Sequence, residues 1–190
     1  MPGRRVSRRE ISDVATALFL ERGFDEVTVA EVARAAGVVE KTVFNHFPTK
    51  ESLVLDREDR WAAAVRAAVA GPEPVDAAVA LIVADLDDLL GGALGPGDAQ
   101  AVSALIARTP ALRAAAAVTA ERITDVAAAG LAERTGRDPD DPRILLLATA
   151  VVALWRVQLR SLARHVGRAD LRERVLGDVR AAATLARKLQ

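Results

Sequence analysis

The stretch AGVVEKTVFNHFPTKESL, Ala36 to Leu53, decides how this chain is read. It holds one of the two histidines and two of the three lysines in the whole sequence. Gly37 separates two short apolar-periodic segments. The first opens at Thr28, with Glu31 three residues on; this is a capping box, in which hydroxyl and carboxylate satisfy the free amides of a helix start. The second covers Val39 to His46, and Pro48 cannot continue it. Two short helices that cross steeply need a small residue at the close approach and a flexible turn. Ala33 and Gly37 supply them. Val32, Ala36, Val38, Val43 and Phe47 then point inward, against Leu18 and Phe19. Val39, Glu40, Lys41, Thr42, Phe44 and Asn45 are left outward, a set of donors, acceptors and charges that suits base edges and phosphates in a major groove. The same face also suits a solvated helix in a small bundle.

Working outward, a first helix is predicted from Ser7 to Arg22, with Ser7 and Glu10 as a capping box and Gly23 as its stop. Downstream, Thr49 reads as the cap of a long fourth helix from Lys50 to about Ala70. Beyond Gly71–Pro74 the composition shifts to Ala, Val and Leu. Five helices are predicted there, at about 74–90, 97–108, 110–135, 140–166 and 169–189, separated by turn-rich stretches. The expected class is all-α with about nine helices: a helix-turn-helix domain over 1–56 and a helical bundle over 57–190.

Composition narrows the function. Apolar residues make up 51% of the chain and aromatics 3%, so the core is aliphatic. With no cysteine, neither a disulfide framework nor a thiolate metal site can form, which fits a reducing cytoplasm. The longest nearly apolar run, Ile144 to Trp155, is too short to span a bilayer, so no membrane partner is expected. Net charge is zero, but residues 1–9 carry Arg4, Arg5, Arg8 and Arg9 and no acid, while residues 51–190 carry 18 basic and 19 acidic side chains. Positive charge is concentrated at the end that precedes the helix-turn-helix. The acidic runs Asp85–Asp88 and Asp138–Asp141 could suggest catalysis. Two distant histidines and no cysteine assemble no metal set, and the runs read as a solvated face and a turn with an N-cap. No enzyme, metal or cofactor is expected.

From Ala15 to Val54, ATALFLERGFDEVTVAEVARAAGVVEKTVFNHFPTKESLV resembles the DNA-binding domain of the TetR family of transcriptional regulators, including the G-F-x-x-V-T segment, the A-x-x-x-G turn and the H-F-P-x-K-E ending. The resemblance implies that Val39–His46 is a recognition helix on a double-stranded operator. It also implies that Thr42, Phe44, His46, Lys50 and Thr28 work largely against the DNA backbone. Two departures stand out. Phe44 replaces the family's usual Tyr and loses a hydroxyl, and Val39 replaces a Ser or Thr cap. Lys41 and Asn45 are the candidates for base reading. Glu40 can accept from a cytosine amino group, though pairing with an arginine is the favoured expectation. Arg4, Arg5 and Arg8 can follow the backbone or the minor groove.

The resemblance further implies that the last two helices build a homodimer interface, with Val151, Leu154, Leu171, Val175, Val179 and Leu185 as candidates. Ile144 to Trp155 is apolar on nearly every side, which a helix tolerates only when several faces are contacted. A small, largely apolar effector would sit among Trp61, Leu81, Leu86, Leu90, Leu105, Ile106, Ile123, Leu131 and Trp155, with Gln100, Ser103, Thr119 and Gln158 as polar anchors. The family's usual outcome is repression released by the effector. A DNA binder without an effector, and a helical protein-interaction module, are the alternatives.

Overall fold

The computed structural model describes residues 6–55, 58–91 and 96–189; Arg4 and Arg5 lie outside the described residues. Nine α-helices are present among them: α1 Arg8–Arg22, α2 Val29–Ala35, α3 Glu40–His46, α4 Glu58–Val69, α5 Pro74–Gly91, α6 Pro96–Arg108, α7 Pro110–Thr135, α8 Pro142–Arg164 and α9 Leu171–Ala186. They fall into two compact units, Met1–Asp56 with Ala104–Ala115, and Arg57–Ser103 with Ala116–Gln190. The sequence boundary at residue 56 did not foresee that the corner between α6 and α7 joins the first unit.

In that unit both capping boxes form. Ser7 and Thr28 each accept the amide three residues on, and Glu10 and Glu31 each take the cap's own backbone N–H at 2.8 Å. Gly23 and Gly37 end α1 and α2 at positive φ, 95° and 69°, backbone that a side chain resists. Ile11, Ala15, Phe19, Phe24, Val32, Val43, Phe47 and Leu53 form one buried cluster, joined by Leu105 and Leu112. Ser12 ties the end of the segment down by donating to the Leu53 carbonyl at 3.1 Å.

The expected continuous helix from Lys50 is not there. Glu51–Leu53 is a 3-10 turn, and α4 runs from Glu58. Thr49 does accept the Ser52 amide, but the Ser52 hydroxyl turns back and donates to the Thr49 carbonyl at 2.7 Å. A serine bonded to backbone in this way competes with helix propagation and favours a tight turn.

In the second unit α8 and α9 pack against each other and both pack on α5. Ile144, Leu147, Ala148, Val151, Val152 and Leu154 of α8 are buried with Val75, Ala78 and Ile82 of α5 and Val179 and Ala183 of α9. Bidentate pairs hold both ends of the antiparallel α5–α9 contact. Arg172 grips Asp87 at 2.8 and 3.2 Å, and Arg187 grips Asp76 at 2.5 and 3.3 Å. Their arginines hold both carboxyls below the usual carboxylate range. All four side chains are exposed, so each pair fixes register more than it adds stability. Gly130 of α7 faces α4 so closely that a Cβ there would lie 2.7 Å from Cγ2 of Val69.

Asp141 caps α8 and Asp138 closes the turn before it, as the spacing predicts. Asp85 corrects the expectation of a solvated face, because it is buried. The whole of α8, longer than its apolar run, is the one unbroken helix of the described residues long and apolar enough to cross a membrane. Its buried core stripe and a second, open apolar side together account for that hydropathy.

Candidate nucleic-acid interface

Helix α3 is held from beneath. Val43 and Phe47 are buried in the first unit's core, and α2 packs against α3 across the Gly37 turn. That anchoring turns Val39, Glu40, Lys41, Phe44, Asn45 and His46 to the surface, with Thr42 half-buried at its edge. Val39 is 68% and Phe44 48% exposed, large apolar surface for one short helix. Val39 precedes the helix in extended conformation and offers no side-chain cap, so a stabilising contribution of about 1 kcal/mol is forgone at this end. Lys41 and Asn45 lie one turn apart and both project outward. Glu40 was expected to pair with an arginine; it pairs with no described residue.

Two of the residues assigned to the DNA backbone are otherwise engaged. The Thr28 hydroxyl donates to Oε2 of Glu31 at 2.8 Å while accepting the Glu31 amide. To donate to a phosphate it would have to release that carboxylate, which is also held by Arg22 at 2.9 Å. The Thr28 backbone and hydroxyl bonds, then Arg22, bring the Glu31 carboxyl down to about 2. Lys50 folds inward. Its ammonium lies 4.4 Å from the Phe24 ring centroid and 5.8 Å from that of Phe19, and donates to the Asp25 carbonyl at 3.5 Å. The helix start expected to support it is a 3-10 turn, so in this conformation Lys50 fastens the segment to the Phe19–Phe24 pair. Arg8 lies exposed with its guanidinium 4.9 Å over the Phe47 ring, beneath α3.

The effector candidates divide between the units. Leu105 belongs to the first unit's core, and Leu86 to a satellite cluster with Leu162, Leu171, Val175 and Leu176. Trp61, Ile123 and Trp155 share the second unit's main core, the two indoles 5.5 Å apart. Gln158 is fully buried; its Nε2 donates to Asp85 at 3.0 Å and its Oε1 has no partner. Gln100 spends its amide on the turn after α8, donating to the His165 carbonyl and accepting from Gly167. Ser103 bonds its own helix, and Thr119 is buried. Ser161 and His165 both address Oδ2 of Asp178, at 2.7 and 3.4 Å, so the three do not relay a proton in series.

The dimer candidates divide. Val151, Leu154, Leu171, Val175 and Val179 are buried within their own chain, and only Leu185 is exposed, at 67%. Helix α8 is apolar on two sides, and Val151, Leu171, Val175 and Val179 are spent on packing within the chain. The other side forms an open apolar groove of about 210 Å³ lined by Leu154 and Leu185, both named from the sequence, with Ala182, Ala186 and Leu189 and with Ala150, Ala153 and Val157, which sequence reasoning passed over. The signal was present as small or branched apolar residues at 150, 153 and 157, offset from the core stripe.

Comparison with known proteins places this geometry. Residues 11–56 match the family model of bacterial regulatory proteins, tetR family, and residues 97–189 match the model of the MftR C-terminal domain. The chain is 31% identical over 152 residues to the HTH-type transcriptional regulator TcmR of Streptomyces glaucescens, covering 75% of this chain and 67% of that one. It is 42% identical over 52 residues to the HTH-type transcriptional repressor KstR2 of Rhodococcus jostii (strain RHA1), a stretch that spans 27% of this chain and 26% of that protein. The crystal structure of FadR from Bacillus subtilis in complex with stearoyl-CoA shares the fold, with a TM-score of 0.61 at 16% identity over 94% of this chain and 98% of the other.

Proposed function

Because the chain belongs to the TetR family of bacterial regulatory proteins, we propose that it is a homodimeric repressor that binds a palindromic operator in the cytoplasm and is released by a small, largely apolar effector. One observation carries the DNA-binding part. The core of the first unit grips α3 by Val43 and Phe47 and leaves Glu40, Lys41, Phe44 and Asn45 facing outward together. Lys41 and Asn45 read base edges; Thr42, His46 and Arg8 follow the backbone, and Lys50 joins them only if it leaves Phe24. The test is protection of an inverted repeat in the DNA flanking the gene by the purified protein. Lys41→Ala and Asn45→Ala then change sequence preference, and equal losses on operator and random duplex would remove them from the reading set.

The groove of α8 and α9 is where a second copy docks. An apolar, weakly polar face shared by two helices suits an isologous contact, in which each copy presents the same patch. Two recognition helices would then meet successive major grooves about 34–36 Å apart. The effector reading is supported by the pairing of buried Trp61 with half-buried Trp155 and by the unpartnered Gln158 oxygen, and by a fold neighbour solved with stearoyl-CoA. An apolar body with one hydrogen-bond donor would satisfy both features. Thermal-shift screening against acyl chains and hydroxylated aromatics tests this; no shift together with intact operator binding favours regulation without an effector.

A further inference from the structure

Glu40 is an exposed carboxylate on the first turn of α3, beside the exposed Val39 and Lys41, and it pairs with no described residue. A side chain there approaches DNA whose phosphates repel it, so it weakens binding unless a donor meets it. A carboxylate has only acceptors. The major groove offers two kinds of base donor, the N4 amino group of cytosine and the N6 amino group of adenine. Adenine sets its N7 acceptor beside that donor, which opposes a second carboxylate lone pair. Cytosine presents its amino group without a neighbouring acceptor on the same base. We propose that Glu40 is a specificity-determining residue that selects a cytosine in each half of the operator by accepting from its N4 amino group. This deepens the DNA-binding reading above and rests on it.

Glu40 also acts by exclusion. Its charge lowers affinity for every sequence that lacks the donor, so it widens the gap between operator and random duplex and does not simply add affinity.

The experiment is selection by the full-length protein from a random duplex library, repeated with Glu40→Gln and Glu40→Ala. In the unaltered protein, one symmetry-related pair of positions is fixed as cytosine, and changing that base lowers affinity roughly ten- to hundredfold. With Glu40→Gln the same position turns to adenine, because an amide can donate to N7 while accepting from N6; with Glu40→Ala it becomes indifferent and all other positions persist. Both variants bind random duplex more tightly than the parent at low salt, which a merely structural role would not produce. Thermal midpoints close to the parent's are expected, since no internal bond is lost. The proposal fails if Glu40→Gln selects the same base at every position as the parent. If the parent selects a palindrome with no cytosine that depends on Glu40, this assignment alone falls; if it selects no sequence, the operator reading falls with it.

Discussion

Replacing Leu185 with aspartate separates the two faces of α9. Leu185 is 67% exposed in the single chain. Fully burying a leucine contributes about 1.5–3 kcal/mol, so covering the exposed two-thirds contributes about 1–2 kcal/mol per copy. In a twofold interface the residue occurs twice, which brings the loss to about 2–4 kcal/mol and raises the dimer dissociation constant roughly 30- to 1000-fold. The aspartate charge, desolvated in an apolar groove, adds to that. Sedimentation equilibrium over a range of concentrations reads the constant directly, and operator affinity should fall with it. Val118 of α7 is equally exposed, also at 67%, and lies outside the groove, so Val118→Asp is the matched control. Unchanged dimerisation of Leu185→Asp, or equal weakening by Val118→Asp, would refute the assignment of the groove to a second copy.

Other outcomes follow from the packing. Gly130→Ala should lower the thermal midpoint, since overpacking against Val69 costs about 1–3 kcal/mol and outweighs a gain in helix propensity of about 1 kcal/mol; combining it with Val69→Ala should recover most of the loss. Lys50→Ala should destabilise the protein by about 0.5–1 kcal/mol through the lost ammonium–ring contact, seen as a lower denaturant midpoint, and Lys50→Arg should retain it. The Glu31 carboxyl, lowered to about 2 from an ordinary 4.5, contributes stability that is fully present above about pH 4.5 and is lost as the pH falls towards 2. A thermal melt series across that window should therefore be flatter for Glu31→Gln than for the parent.

The local punctuation was legible in the sequence because it is short-range chemistry. Both capping boxes, the glycine stops and the Asp141 cap involve residues no more than three or four apart, and each formed as spacing predicts. What escaped required knowing which partner a side chain prefers. Ser52 could either continue a helix or fold onto Thr49, and the hydroxyl took the backbone. Lys50 could face a phosphate or two aromatic rings 26 and 31 residues earlier in the chain. Helix α8 is apolar on both sides, so periodicity alone could not tell the face buried in its own chain from the face left open. Val151 and Ala150 are adjacent in sequence and lie on different faces.

The corner from Ala104 to Ala115 has a consequence for protein engineering. Leu105 and Leu112 complete the core beneath α2 and α3, yet they arrive from about fifty residues downstream on helices that continue into the other unit. A chimera grafting only residues 1–56 onto a foreign sensor would inherit a socket with its plug missing. Transplanting the first unit intact means carrying this discontinuous corner with it, or refilling the vacancy with new apolar side chains.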